Sequence, residues 1–474
     1  MKKILLRAGM SPLIGYQPSE VIMKNMIGNN IGNMLFQTSV YRTLLCEDVV
    51  IDTINTSRKF TKWDIDQINA NYECLVLPFA NAFRASFMGE LQEVTKLVNN
   101  LKIPCVVVGV GAQAGIGKDV NNAELDEVVK EFMKAVLKKS NIVGLRGEFT
   151  AEYLSGLGFQ AERDYTVIGC PSLYMFGREL PKMHINELTP KSNVSINSKI
   201  SLPQKFHDFL ARSRKEIPHY NYVPQVVEEI ARMYVGRSYP SDFGKKIPKH
   251  FPVDFTNSVY RTGKGISFVN VPSWLDYLSK KDLSFGSRIH GNIASILAGT
   301  PCYIIVSDQR IMELVDYHHI PHMLMKDLNK ETSIFDLYEK ADFTAIHKDH
   351  DKRFMIYLDF LKKNNLQTIY NENGDAPDII PFEEKKKLVT YPGEVKAFST
   401  LTMEEQLIRL EEVFREIKQR NAFLRRTTPD LERSVKDWIK ENILRRQPRV
   451  KERNYPLIRE YEREFMRRNP AEDE

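Results

Sequence analysis

Short runs of uninterrupted apolar residues recur along this chain, each followed by residues of helical period, and no other feature narrows the fold so far. The plainest run is PCVVVGVG at 104–111. A strand with one wet face would alternate polar and apolar residues. This run does not, so it predicts a strand buried on both faces, as in a parallel sheet covered by helices. Runs at 49–54, 74–79 and 142–145, with helical patterns at 88–101 and 125–138, extend it into β-α-β units. A second set follows, with strands expected at 194–200, 220–223 and 265–271 and helices at 203–213 and 273–279. The opening MKKILLRAGMSP breaks its apolar run at Arg7 and reads as a first strand rather than a leader.

At 474 residues, two such lobes and an extension fit better than one core. The Pro- and Lys-containing stretch at 180–192 is the natural linker. The expected division is an N-terminal lobe over 1–188, a C-terminal lobe over 189–330, a segment over 331–400 that crosses back to brace both, and a charged helical extension over 401–474. The fold class is α/β. A net charge of +6 is modest for this length and does not point to nucleic acid, although it permits anionic ligands. Five cysteines without Cys-x-x-Cys spacing, mostly inside apolar runs, read as buried thiols of a reducing cytoplasm. No apolar run approaches the roughly 20 residues of a membrane helix, so any membrane contact is expected to be peripheral, at the inner face.

The chemistry concentrates in DLSFGSRIHGNIASILAGTPCYIIVSDQRIMEL at 282–314. Gly286 and Ser287 end an extended entry, a helix with small residues follows, Gly299, Thr300 and Pro301 stop it, and CYIIV at 302–306 reads as a buried strand. Arg288 and His290 therefore fall at or just before a helix N-terminus, where unpaired N–H groups and the helix dipole favour an anion. With one residue between them in an extended turn, both side chains are expected to face one way. A guanidinium and an imidazole there suit a phosphate or carboxylate that needs a clamp and a proton donor. The alternative is an Arg paired with a carboxylate and a His capping a helix.

These residues resemble the polysaccharide pyruvyl transferase family in their order: Arg288-Ile289-His290, then Gly299-Thr300-Pro301, then Asp308-Gln309-Arg310 before Glu313-Leu314. The resemblance spans about Gly28 to Pro321 and leaves out the C-terminal extension. It implies two Rossmann-like lobes facing a cleft, as in glycosyltransferases of the B type, and transfer of pyruvate from phosphoenolpyruvate onto two hydroxyls of a sugar in a polysaccharide or its lipid-linked precursor, as a ketal. In that reading Arg288 and Arg146, with Ser287 and Gly291 beside the helix terminus, hold the donor, and His290 is the catalytic proton donor. Gly32, Asn33, Gln113, Asp308, Arg310 and Glu313 are further cleft candidates, Asp308 and Glu313 as acceptor bases. Where the family often has Gly-Asp in its first loop this chain has Gly32-Asn33, and Asn33 cannot act as a base. No cofactor is implied besides phosphoenolpyruvate as substrate, and no metal, since His318, His319 and His322 are interrupted by Ile320 and Pro321. Two other readings stay open: a nucleotide-sugar-dependent glycosyltransferase, and a non-catalytic protein of polysaccharide assembly.

The remaining candidates are positional. Strand ends border the ligand cleft in parallel sheets, which brings in Gly109, Gly111 and Gln113. GVGAQAG does not open a helix directly and is not read as a dinucleotide fingerprint. Arg146 leaves a strand end before a helix, placed for an anion or for a salt bridge to Glu148 or Glu152. At 402–421 a charged helix is expected with Leu407, Leu410, Val413, Phe414 and Ile417 on one side. Arg425-Arg426, Arg445-Arg446 and Arg467-Arg468 with Trp438, Ile439 and Leu444 suggest packing on the lobes, on a second subunit in a homo-oligomer, or on anionic lipid or lipid-linked glycan.

Overall fold

The apolar runs become two parallel sheets, one per lobe, in a computed structural model that describes residues 1–236, 247–253 and 256–427, with side chains of the last helix as far as Gln419. In the N lobe, β1 (Lys2–Arg7), β2 (Val49–Ile54), β3 (Cys74–Pro78) and β4 (Cys105–Val108) lie in the order β2-β1-β3-β4, all parallel. A bridge between Val110 and Leu145 continues the sheet into the parallel pair β5 (Val143–Leu145) and β6 (Tyr165–Val167). Side chains alternate between two cores: Leu75, Leu77, Cys105 and Val107 face one, Cys74, Val76, Val106 and Val108 the other. That is why these runs carry no polar alternation.

The C lobe holds β7 (Val194–Asn197), β8 (Tyr220–Tyr222), β10 (Leu283–Gly286), β11 (Cys302–Val306) and β12 (His322–Leu324), in the order β12-β11-β10-β7-β8. The short β9 (Ile266–Ser267) pairs antiparallel with β13 (Val395–Lys396). The longer strand expected at 265–271 is absent because Asn270 caps the helix Val271–Leu278, accepting from the Ser273 N–H at 2.8 Å, and turns the chain out of the ladder. The helix Lys62–Asn71, opened by a Thr61/Asp64 capping box, is an element the apolar pattern did not reveal.

Several features join the lobes. Helix His350–Lys363 returns from the C-terminal side and places Phe354, Tyr357, Phe360 and Leu361 in the N-lobe core with Leu6, Val76 and Val108. The loop before helix Gly32–Leu44 pairs with the C lobe, Ile31 N–H donating to Gln225 O at 3.0 Å and Val227 N–H to Asn29 O at 2.8 Å. Leu35 and Phe36 then sit in the same core as Ile289 and Ile293.

The last helix, Met403–Thr427, carries the expected apolar side but buries only part of it. Val413 and Ile417 are buried, whereas Leu407 and Phe414 are more than half exposed. At 100° per residue the five apolar positions lie within about 120° of one another, and of these Val413 and Ile417 join the core. The basic pairs at 425–426, 445–446 and 467–468, and Trp438, Ile439 and Leu444, lie outside the described side chains. No described helix is long and apolar enough to cross a membrane.

Candidate active site between the lobes

Each sheet has one point where successive crossovers depart in opposite directions, and ligands of such sheets gather beyond the strand ends there. The order puts this point between β1 and β3 in the N lobe and between β7 and β10 in the C lobe. A cavity of about 700 Å³ opens between the two. Arg7 and Ala8, Phe79 to Asn81, and Arg146 line it from the N lobe; Ile289, His290 and Arg310 line it from the C lobe. Among the charged lining residues Arg7, Lys24, Arg84, Arg146 and Arg310 are cationic and Glu90 alone is acidic, a composition that favours an anion.

His290 lies in the first turn of helix Ile289–Leu297. Helix Gly32–Leu44 begins against it: a Cβ on Gly32 would stand 2.6 Å from His290 Cβ, so only glycine allows the two helix starts to meet. The His290 ring is half-buried, edge-on to Phe36, with Nε2 at 3.8 Å from Cys170 Sγ. Cys170 is itself held by its N–H, which donates to His318 Nε2 at 2.9 Å. The imidazole is pushed down to about 3, by burial first and then by the positive charge of Arg146 and Arg310.

Arg146 follows β5 directly and is 2% exposed. Its Nη1 donates to the Ala80 carbonyl, and its stem lies where a Cβ on Gly111 would be. Of the two partners the sequence offered, neither holds it. Glu313 of the C lobe does, with Oε1 at 3.8 Å from Arg146 Nε. The same carboxylate accepts from Thr150 N–H at 3.1 Å and Thr150 Oγ at 2.9 Å, at the start of helix Glu148–Gly156. Burial pushes Glu313 up to about 7 and also lowers Arg146, because desolvation outweighs an attraction over 3.8 Å. Glu313 thus ties the lobes together and is not on the cavity wall.

Asp308 caps helix Gln309–His318, accepting from Ile311 N–H at 3.1 Å. Burial works to raise its carboxyl, but Arg310 and Lys199 outweigh it and hold Asp308 well below the usual carboxylate range. A carboxylate so stabilised is a poor base.

Arg288 corrects the expectation that it and His290 face one way. The helix begins at Ile289, so Arg288 is an extended N-cap while His290 is already helical, and the side chains diverge. Arg288 Nε donates to Ser198 O at 2.9 Å and Nη2 lies 3.6 Å from Glu229, inside the C lobe. It does not line the cavity. Nor do Ser287, whose buried hydroxyl has no partner among the described residues, or Gly291, which lies against the Gln225 amide.

A family model described as polysaccharide pyruvyl transferase matches residues 30–309, more than half of the chain. The chain belongs to this family. No curated protein matches it in sequence. Among solved structures it is similar to Staphylococcus aureus MnaA with UDP (11% identity, covering 77% of this chain and 98% of that one, TM-score 0.36). It is also similar to UDP-GlcNAc 2-epimerase of Neisseria meningitidis bound to UDP-GlcNAc (9%, 82% and 98%, TM-score 0.31) and to the glycosyltransferase SnogD of Streptomyces nogalater (8%, 75% and 94%, TM-score 0.31). Likeness this slight leaves function to be read from the chain itself.

In this pyruvyl transferase family member the predicted residues divide. His290, Arg146, Arg310 and Asn33 reach the cavity. Asn33 donates to the Gly28 carbonyl at 2.7 Å and so shapes its loop. Gln113 stands one residue back, accepting from Asn81 Nδ2 at 2.6 Å. Arg7, Asn81 and Arg84 were missed, since β3 was legible but its place beside β1 was not. Among the described residues no group of His, Cys, Asp or Glu is arranged to hold a metal.

Proposed function

We propose that the chain transfers pyruvate from phosphoenolpyruvate to two hydroxyls of a sugar in a polysaccharide or its lipid-linked precursor. The observation that carries this reading is His290 set between Arg146 and Arg310 on a cationic cavity wall at two helix starts. The guanidiniums hold the donor's phosphate and carboxylate by charge-assisted hydrogen bonds. Arg288 adds its charge from behind the helix terminus.

His290 is the proton donor. The donor's negative charge offsets Arg146 and Arg310, which raises the imidazole from its depressed value, so its proton arrives with the donor. The proton adds to the enol methylene carbon, making a methyl group and an oxocarbenium. A sugar hydroxyl attacks that carbon and returns one proton to His290. The C–O bond to phosphate then breaks as the second hydroxyl closes the ketal, and the second hydroxyl proton leaves with the phosphate.

Incubation with phosphoenolpyruvate and a lipid-linked glycan acceptor should release inorganic phosphate and add a pyruvate ketal methyl signal to the glycan. Turnover that instead needs a nucleotide sugar and releases a nucleotide would replace this reading.

A further inference from the structure

The His290 ring is held on several sides. Gly32 lies against its Cβ, Phe36 meets it edge-on, and the Cys170 sulfur stands 3.8 Å from Nε2. The two ring nitrogens therefore meet different surroundings. Nε2 is turned into the N lobe, toward a side chain that is 1% exposed. Nδ1 has no partner among the described residues and is not sealed off by them, so on a ring that lines the cavity it is the nitrogen a ligand reaches.

Cys170 is fixed for this contact. It follows β6 after Gly169, whose φ of +71° turns the chain, and a Cβ on that glycine would stand 2.4 Å from His318 Nε2. The turn lets the Cys170 N–H donate to the same His318 nitrogen at 2.9 Å, and the next residue, Pro171, gives its carbonyl to Ser39 Oγ. Burial pushes the Cys170 thiol up from its ordinary value, so it stays uncharged.

We infer that Cys170 is the positioning residue of His290: its sulfur accepts from Nε2–H, so that Nδ1 is the nitrogen that exchanges protons with the substrates. This rests on the proposed pyruvyl transfer and names the reacting atom. In the charged ring both nitrogens carry hydrogen, so an uncharged thiol beside Nε2 can only accept. Breaking Nδ1–H gives the proton to the enol methylene carbon, whose double-bond pair forms the new C–H bond, and leaves the N–H pair on Nδ1. That lone pair takes the proton of the attacking hydroxyl, while Nε2–H stays on sulfur throughout. The hydrogen bond of one ring nitrogen thus fixes the work of the other. Because Cys170 comes from the N lobe and His290 from the C lobe, the acid is complete only where the lobes meet.

Nitrogen NMR on isotope-labelled histidine tests this, the His290 signals being those lost in His290→Gln. In the unaltered protein the neutral ring should carry its hydrogen on Nε2, and in Cys170→Ala the two tautomers should mix. Turnover is read as phosphate release from phosphoenolpyruvate with the lipid-linked glycan acceptor. Cys170→Ala should lower it by roughly tenfold while phosphoenolpyruvate affinity stays within about twofold, and Cys170→Ser, which keeps an acceptor for Nε2–H, should recover most of the loss. A ring hydrogen on Nδ1 in the unaltered protein, or ordinary turnover in Cys170→Ala, overturns the inference. No phosphate release by the unaltered protein overturns the proposed function instead, and the nitrogen signals then decide the positioning alone.

Discussion

Arg146 and Arg288 leave the carboxyl ends of parallel strands, and each has a buried glutamate for a partner, Glu313 at 3.8 Å and Glu229 at 3.6 Å. Burial pushes both carboxyls up to about 7. They differ in where the partner comes from. Glu229 belongs to the same lobe as Arg288 and draws the guanidinium inward, whereas Glu313 crosses from the opposite lobe and holds Arg146 at the cleft. Strand geometry sets where such an arginine starts, and the partner sets where its charge is delivered.

The largest expected effect lies at His290, between the two. His290→Gln keeps a hydrogen-bonding group of similar size but has no transferable proton near neutral pH. Turnover should fall by roughly 10²- to 10⁴-fold with phosphoenolpyruvate affinity largely kept. Phosphate release at the ordinary rate from this variant would remove His290 from the mechanism.

Next come the glutamates. Removing one partner of a buried ion pair costs about 3–5 kcal/mol, so Glu313→Ala and Glu229→Ala should both lower the unfolding free energy by that order. Only Glu313→Ala should also raise amide exchange at the start of helix Glu148–Gly156, because Thr150 N–H loses its acceptor. Equal exchange there in both variants would show that the Glu313 tie does not hold the lobes.

A smaller effect separates the arginines by donor affinity. Arg146→Lys keeps the charge but loses the planar fork, and should weaken phosphoenolpyruvate binding by about 1–3 kcal/mol in calorimetry. Arg288→Lys should cost under about 1 kcal/mol, its guanidinium being engaged by Ser198 and Glu229. The reverse ranking would move the donor site into the C lobe.

A last difference lies in pH dependence, where the change per pH unit is modest. With folded values raised to about 7, Glu313 and Glu229 bind protons in the folded chain that the unfolded chain has released above about 4.5. Their contribution to stability is therefore full below about 4.5 and is lost as pH rises through about 7, at up to about 1.4 kcal/mol per pH unit for each. Denaturant titrations between pH 5 and 8 should show this slope reduced in Glu313→Gln and Glu229→Gln alike.

Much of the architecture was legible because period and punctuation are local properties. The runs at 49–54, 74–79 and 302–306 became strands at those places, and Gly299, Thr300 and Pro301 end helix Ile289–Leu297 as their chemistry requires. The Arg-x-His motif was equally local, as was the placement of Arg146 at a strand end. Asn81 and Arg84 carried no such signal. An asparagine after a strand is an ordinary turn residue until that strand is known to lie beside β1.

By itself, then, the sequence determined where most of the core strands and helices lie, that the sheets are parallel and covered on both faces, and that a cationic pair stands at a helix start. These follow from interactions among residues a few positions apart. Only the tertiary structure decided that His290 faces the cleft while Arg288 turns away, and that Glu313 pairs with Arg146 across the lobes. It alone set Asn81 next to the Ala80 carbonyl that Arg146 binds. Each depends on a partner more than 50 residues distant, and strand order, which places such partners, is not written in the period of any one strand.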